Sequence, residues 1–182
     1  MRNLNLLAAL AVGLAAGSAQ AQDTTCDGFV SSDPERLYDF KQGEWDIHWR
    51  NRDGSGGFFE FNASGHVYSI MDGDILIDEQ TSDYFKGITF RTYNSSTQEW
   101  VVRWLPANSA FEHPISARLE DCTPVERHAQ LAPDGREVEV VTRFEEITAD
   151  RFVFRQDWSF DEGETWVEDV LFYEAIRRPD AE

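Results

Sequence analysis

The side chains best suited to recognising a ligand fall in one stretch, Phe90 to Leu105. Arg91 and Tyr93 precede a polar segment, Asn94-Ser95-Ser96-Thr97-Gln98, and Trp100 and Trp104 follow it. Two runs rich in aromatic and β-branched residues around such a segment predict a β-hairpin. With the loop at Ser95–Gln98, Tyr93 stands opposite Trp100, Arg91 opposite Val102 and Thr89 opposite Trp104, all on one face. A face of rings carrying a single guanidinium suits the wall of a pocket. An unpaired buried Arg is costly, whereas one laid on an aromatic ring or paired with an acid is tolerated. The chemistry this allows is recognition: Arg91 fixing an acidic head group while Tyr93, Trp100 and Trp104 hold an apolar body. A loop longer by one residue would turn one strand over and set Arg91 opposite Val101.

Two further residues could supply acid or base. Glu79 alternates with Ile75 and Ile77. If those isoleucines face inward, Glu79 does too and needs a partner such as Arg91; if the register breaks there, Glu79 is solvated. His113, in Phe111-Glu112-His113-Pro114, belongs to an irregular connection of the kind that gathers at a barrel mouth. With Glu79 or His113 as acid or base and Arg91 beside a developing anion, the same pocket would host an enzyme. The histidines lack metal-site spacing, and the last strand has no His to serve as a haem ligand. No Gly-x-Ser-x-Gly elbow, phosphate loop or Gly-x-Gly-x-x-Gly turn is present. No metal or cofactor is therefore expected.

The elements that must position these residues read as strands. Ser32-Asp33-Pro34-Glu35 is a helix start, with Leu37, Tyr38 and Phe40 as the apolar side of a short helix ending near Gly43. Trp45, Ile47 and Trp49 then alternate with Asp46, His48 and Arg50. Later, Phe152, Phe154, Gln156 and Trp158 alternate with Arg151, Val153, Arg155 and Asp157, which makes Trp158 a further candidate wall. Nine or ten strands joined by turns predict an all-β fold, an antiparallel up-and-down barrel in preference to a sandwich.

Three pieces carry a resemblance. Gly43-Glu44-Trp45, after the helix and at the head of the first strand, resembles the Gly-x-Trp signature of lipocalin-like barrels. With the Arg91/Tyr93/Trp100/Trp104 hairpin and the terminal Asp161-Glu162-Gly163-Glu164-Thr165-Trp166 hairpin, the pattern is similar to a group of uncharacterised bacterial exported proteins with lipocalin-like barrels. The resemblance covers most of residues 34–178, in pattern rather than in close identity, and implies a barrel whose closed end is plugged by Trp45; it implies no agreed activity. Ser159 to Trp166 also matches the Asp-box of sialidase-type propellers, but as a single copy it reads as a stable hairpin.

Residues 1–21, a short charged start followed by an apolar run and Ala19-Gln20-Ala21, read as a secretory signal peptide. Residues 22–33 form an amino-terminal arm, 34–178 one barrel domain and 179–182 a tail, in a periplasmic or secreted protein without membrane insertion after cleavage. Cys26 and Cys122 are the only cysteines, and in an oxidising compartment they predict one disulfide, the alternative being two free thiols. A net charge of −18 argues against nucleic acid as a partner. The partner expected is a small hydrophobic or amphipathic molecule. A filled barrel acting as an envelope interaction module is the remaining alternative.

Overall fold

Along β1 (Gly43–Arg52), Trp45, Ile47 and Trp49 are buried while Glu44, Asp46 and His48 are exposed, the alternation of a strand with one face in a core. Nine more strands follow in the computed structural model, which describes Cys26, residues 28–110 and residues 113–179. They are β2 (Phe58–Ile70), β3 (Ile75–Ser82), β4 (Lys86–Asn94), β5 (Glu99–Pro106) and β6 (Ile115–Glu120), then β7 (Thr123–Leu131), β8 (Glu137–Glu145), β9 (Arg151–Ser159) and β10 (Val167–Arg177). Each strand pairs antiparallel with the next. β10 returns to β1, with Trp45 opposite Arg177 and Trp49 opposite Tyr173, and the sheet closes into the up-and-down barrel that the sequence predicts. The leader expected over residues 1–21 lies outside the described residues.

The β4–β5 hairpin takes the expected register, with Tyr93 opposite Trp100, Arg91 opposite Val102 and Thr89 opposite Trp104. The terminal hairpin also holds its turn as the sequence suggests. Ser159 Oγ accepts from the Gly163 amide (2.8 Å), and Asp161 accepts from the Thr165 amide (2.8 Å) and hydroxyl (2.6 Å). A disulfide joins Cys26 to Cys122, tying the amino-terminal arm to the turn between β6 and β7.

The expected short helix is present and takes the form of two single turns of 3-10 helix, Pro34–Arg36 and Asp39–Lys41. Asp33 caps the first by accepting from the Glu35 amide (3.1 Å). Leu37, Tyr38, Phe40 and Lys41 are all buried along these two turns and the link between them. These turns enter the barrel and plug one end. There the rings of Phe40, Trp45, Phe144 and Phe152 meet largely edge to face, with centroids 4.8–6.1 Å apart.

Arg177 latches this end. Its guanidinium lies 4.2 Å over the Trp45 ring and donates to the backbone oxygens of Gln42 (2.6 Å), Phe40 (3.2 Å) and Ala149 (2.6 Å). Trp45 Nε1 donates to the Lys41 carbonyl (2.6 Å). Gly43 is required twice over: its φ is +127°, and a Cβ there would collide with the Arg177 guanidinium. Gly43→Ala should therefore lower stability by about 2 kcal/mol, read as a reduced urea midpoint. In a double-mutant cycle, Gly43→Ala should cost less when Arg177 is already Met, because the colliding group is gone.

Candidate ligand-binding cavity

The interior face of β4 carries Thr89, Arg91 and Tyr93, and that of β3 carries Leu76, Asp78 and Gln80. Asp78 pairs with Thr89 in register, so it is the diagonal neighbour of Arg91, within reach of a long side chain. Arg91 Nη1 donates to Asp78 Oδ2 at 3.0 Å, and Lys41 Nζ reaches the same oxygen at 2.7 Å. On the far side, Arg91 Nη2 donates to Glu126 Oε1 (3.4 Å), which also accepts from the Tyr38 hydroxyl (2.8 Å). The Arg91 guanidinium lies 4.8 Å over the Tyr38 ring. All five side chains are buried. Two cations face two carboxylates, and the formal charge of the cluster is zero.

Electrostatics follow from burial and pairing. Burial pushes the Lys41 ammonium down to about 8, with the Arg91 charge acting the same way and Asp78 opposing. Burial works to raise the Asp78 carboxyl, but Lys41 and Arg91 outweigh it and hold it below the usual carboxylate range. Burial raises the Tyr38 and Tyr173 phenols, with Glu126 adding to the first and Asp78 to the second. The phenols therefore remain donors.

Above this cluster the barrel is not filled. A cavity of about 380 Å³ is walled by the rings of Trp49, Phe85, Trp104 and Phe154 and by the polar side chains of Asn51, Gln80, His128, Gln130 and Gln156. Trp104 reaches its place because position 87 is glycine. A Cβ there would overlap the Trp104 indole and crowd the Leu105 carbonyl. Among the described residues, no group of three or more His, Cys, Asp or Glu is placed to hold a metal ion.

The residues singled out by sequence divide into those at the cavity and those away from it. Arg91 and Trp104 line it. Tyr93 and Trp100 share the interior face but pack into the plugged end, where Trp100 Nε1 donates to the Pro34 carbonyl (2.7 Å). Trp158 continues the row of Phe154 and Gln156, gives its Nε1 to Gln156 Oε1 (2.9 Å), and packs with Val138, Val140 and Ala132 outside the cavity wall. His113 is exposed between β5 and β6. Glu79 is a correction: it faces outward and accepts from the Tyr68 hydroxyl (2.8 Å). The alternation is offset by one residue, so Asp78 is the acid that meets Arg91. Ile77 is buried on the outer side, between Tyr68 and Phe90 in register, and its burial mimics an inward face.

Sequence reasoning missed Lys41, Asp78, Glu126 and His128. Glu126, His128 and Gln130 do alternate along β7, and that polar period-two row was the available signal. Lys41 had none, since a lysine beside Gly43 reads as a solvated helix end.

In fold, the chain is similar to the S-type phycobiliprotein lyase CPES from Guillardia theta, with a TM-score of 0.54 and 13% identity over 81% of this chain and 93% of that one. No family model and no curated protein matches the sequence.

Removing Arg91 while keeping its partners would strand two buried carboxylates, so Arg91→Met should destabilise by about 3–5 kcal/mol. Lys41 makes a pH prediction. Its folded pKa of about 8 lies below the unfolded value, so between those values the unfolded chain binds more protons and stability rises with pH. From about pH 7.5 to about pH 9.5 the wild type should gain on the order of 2 kcal/mol relative to Lys41→Met, measured by urea unfolding. Referring the change to Lys41→Met cancels the ionisation of unfolded tyrosines, which both chains share.

Proposed function

We propose that this protein is a small-molecule-binding barrel whose ligand is amphipathic, with a flat apolar body held between the buried ion cluster and the open end. The observation that carries this reading is a cavity of about 380 Å³ inside a barrel whose other half is packed with aromatic rings. Small-molecule sites typically fall between about 300 and 1,000 Å³, with apolar walls and a few placed polar groups. Trp49, Phe85, Trp104 and Phe154 supply the walls, and the amide and imidazole groups beside them would fix orientation. The fold shared with a phycobiliprotein lyase is in keeping with a barrel that takes a small molecule. The signal-peptide pattern and the Cys26–Cys122 disulfide favour an exported, periplasmic or secreted protein.

The enzyme alternative has less support. Glu79 lies on the outer wall and His113 is exposed in a loop, so neither is placed beside Arg91. A filled interaction module does not call for a wall of uncharged amides around open space.

The test is a titration with the neutral fluorescent probe N-phenyl-1-naphthylamine. Saturable enhancement is expected, with energy transfer from tryptophan. Thr89 lines the cavity and is buried, so Thr89→Phe should occupy the space and weaken probe binding at least about tenfold while leaving the melting temperature unchanged or raised. A signal that does not saturate, or that Thr89→Phe leaves intact, would remove the proposal.

A further inference from the structure

Among the described residues, six buried side-chain polar atoms lack a hydrogen-bond partner, and five of them belong to side chains that line the cavity. They are Trp49 Nε1, Asn51 Oδ1, Gln80 Oε1, Arg91 Nε and His128 Nδ1. Buried polar groups are seldom left unpaired, so their concentration around one space describes what an occupant must supply. Trp49, Gln80 and Arg91 are each more than nine-tenths buried, so only a molecule inside the cavity can meet these atoms.

The atoms divide by role. The indole N–H of Trp49 and the Nε–H of Arg91 donate; the side-chain oxygens of Asn51 and Gln80 accept. His128 Nε2 lies 3.2 Å from Gln130 Oε1, and in the tautomer that donates to this oxygen Nδ1 offers a lone pair. Burial, reinforced by His113, lowers the His128 pKa and keeps the ring neutral, against opposition from Gln130 and Glu126. Three acceptors and two donors therefore await partners. An ionised carboxylate accepts only, and could answer the donors alone.

Charge points the same way. The Arg91 guanidinium is already bonded to Asp78 and Glu126, and with Lys41 the cluster sums to zero. A chain of net charge −18 adds a field that opposes the approach of anions.

We infer that the cavity selects a neutral aryl amide or flat heterocycle, bearing both N–H donors and carbonyl-type acceptors, and discriminates against carboxylates of the same shape. This rests on the binding-barrel reading and narrows its ligand class. A site built to hydrogen-bond its ligand rejects analogues lacking the matching groups, because its own polar atoms are then left bare.

The experiment is calorimetric titration of the disulfide-bonded protein at neutral pH with three probes on one aromatic body: naphthalene-2-carboxamide, 2-naphthoate and 2-methylnaphthalene. The carboxamide should bind at least about tenfold more tightly than either of the others. Gln80→Leu combined with His128→Leu should erase that preference, and Asn51→Leu, nearer the open end, should reduce it if the double variant does not fold. Naphthoate binding as tightly as the carboxamide, or methylnaphthalene doing so, overturns the inference and leaves the binding-barrel reading standing. Binding by none of the three overturns both.

Discussion

Four charges and a phenol buried at the waist of the barrel constrain everything else. Asp78 accepts from Lys41 and Arg91, and Glu126 accepts from Tyr38 and Arg91. None of these ions could remain charged there alone, since the penalty for burying an isolated ion is several kcal/mol even after relaxation. Each is present because the others are. The side chains come from the amino-terminal turns, β3, β4 and β7, so the cluster ties the plug to strands on both sides of β5 and β6. It also divides the interior: rings on one side, polar groups around open space on the other.

That division follows from strand number. About eight strands enclose just enough room for side chains to fill, and ten enclose more. The excess must be plugged or left open. At one end Leu37, Tyr38 and Phe40 enter the barrel and complete a core with Trp45, Phe144 and Phe152, fastened by Arg177 across β1 and β10. No segment among the described residues enters from the other end. The cavity is thus the unfilled remainder of a wide barrel, bounded below by an ion cluster that cannot be displaced without leaving charges unpaired.

What the sequence made legible was local and periodic. The β4–β5 register followed from a polar loop between aromatic runs, while the plugged end was implied only by the resemblance of Gly43-Glu44-Trp45 to the Gly-x-Trp signature of lipocalin-like barrels. The disulfide followed from a count of two thiols. What stayed hidden depended on contacts distant in sequence. Asp78 and Glu79 are neighbours of the same type, and only the parity of β3 decides which meets Arg91. That parity was obscured because Ile77 is buried on the outer side. Lys41 is buried because the chain coils as 3-10 turns and dives into the barrel. No periodicity announces such a path. Arg91 was read as the holder of an acidic ligand head because its two protein carboxylates lie thirteen and thirty-five residues away.

The outer and inner charges do different work. On the outside, Arg178 bonds Asp46 and Glu44, and Arg155 bonds Asp169 and Glu145, all partly exposed pairs of the kind worth about 0–1 kcal/mol each. The acidic excess lies among such solvated groups, and salt confines its field to within about 8–10 Å of the surface. An anion is opposed at the rim. A cation drawn to that surface finds no net negative charge below, because the buried cluster is balanced. A neutral molecule meets neither obstacle and gains from ring contacts and from polar atoms that the protein leaves unpaired. The balance of the buried ions, by cancelling Arg91 as an anion trap, leaves hydrogen-bond geometry as the basis on which the cavity can choose.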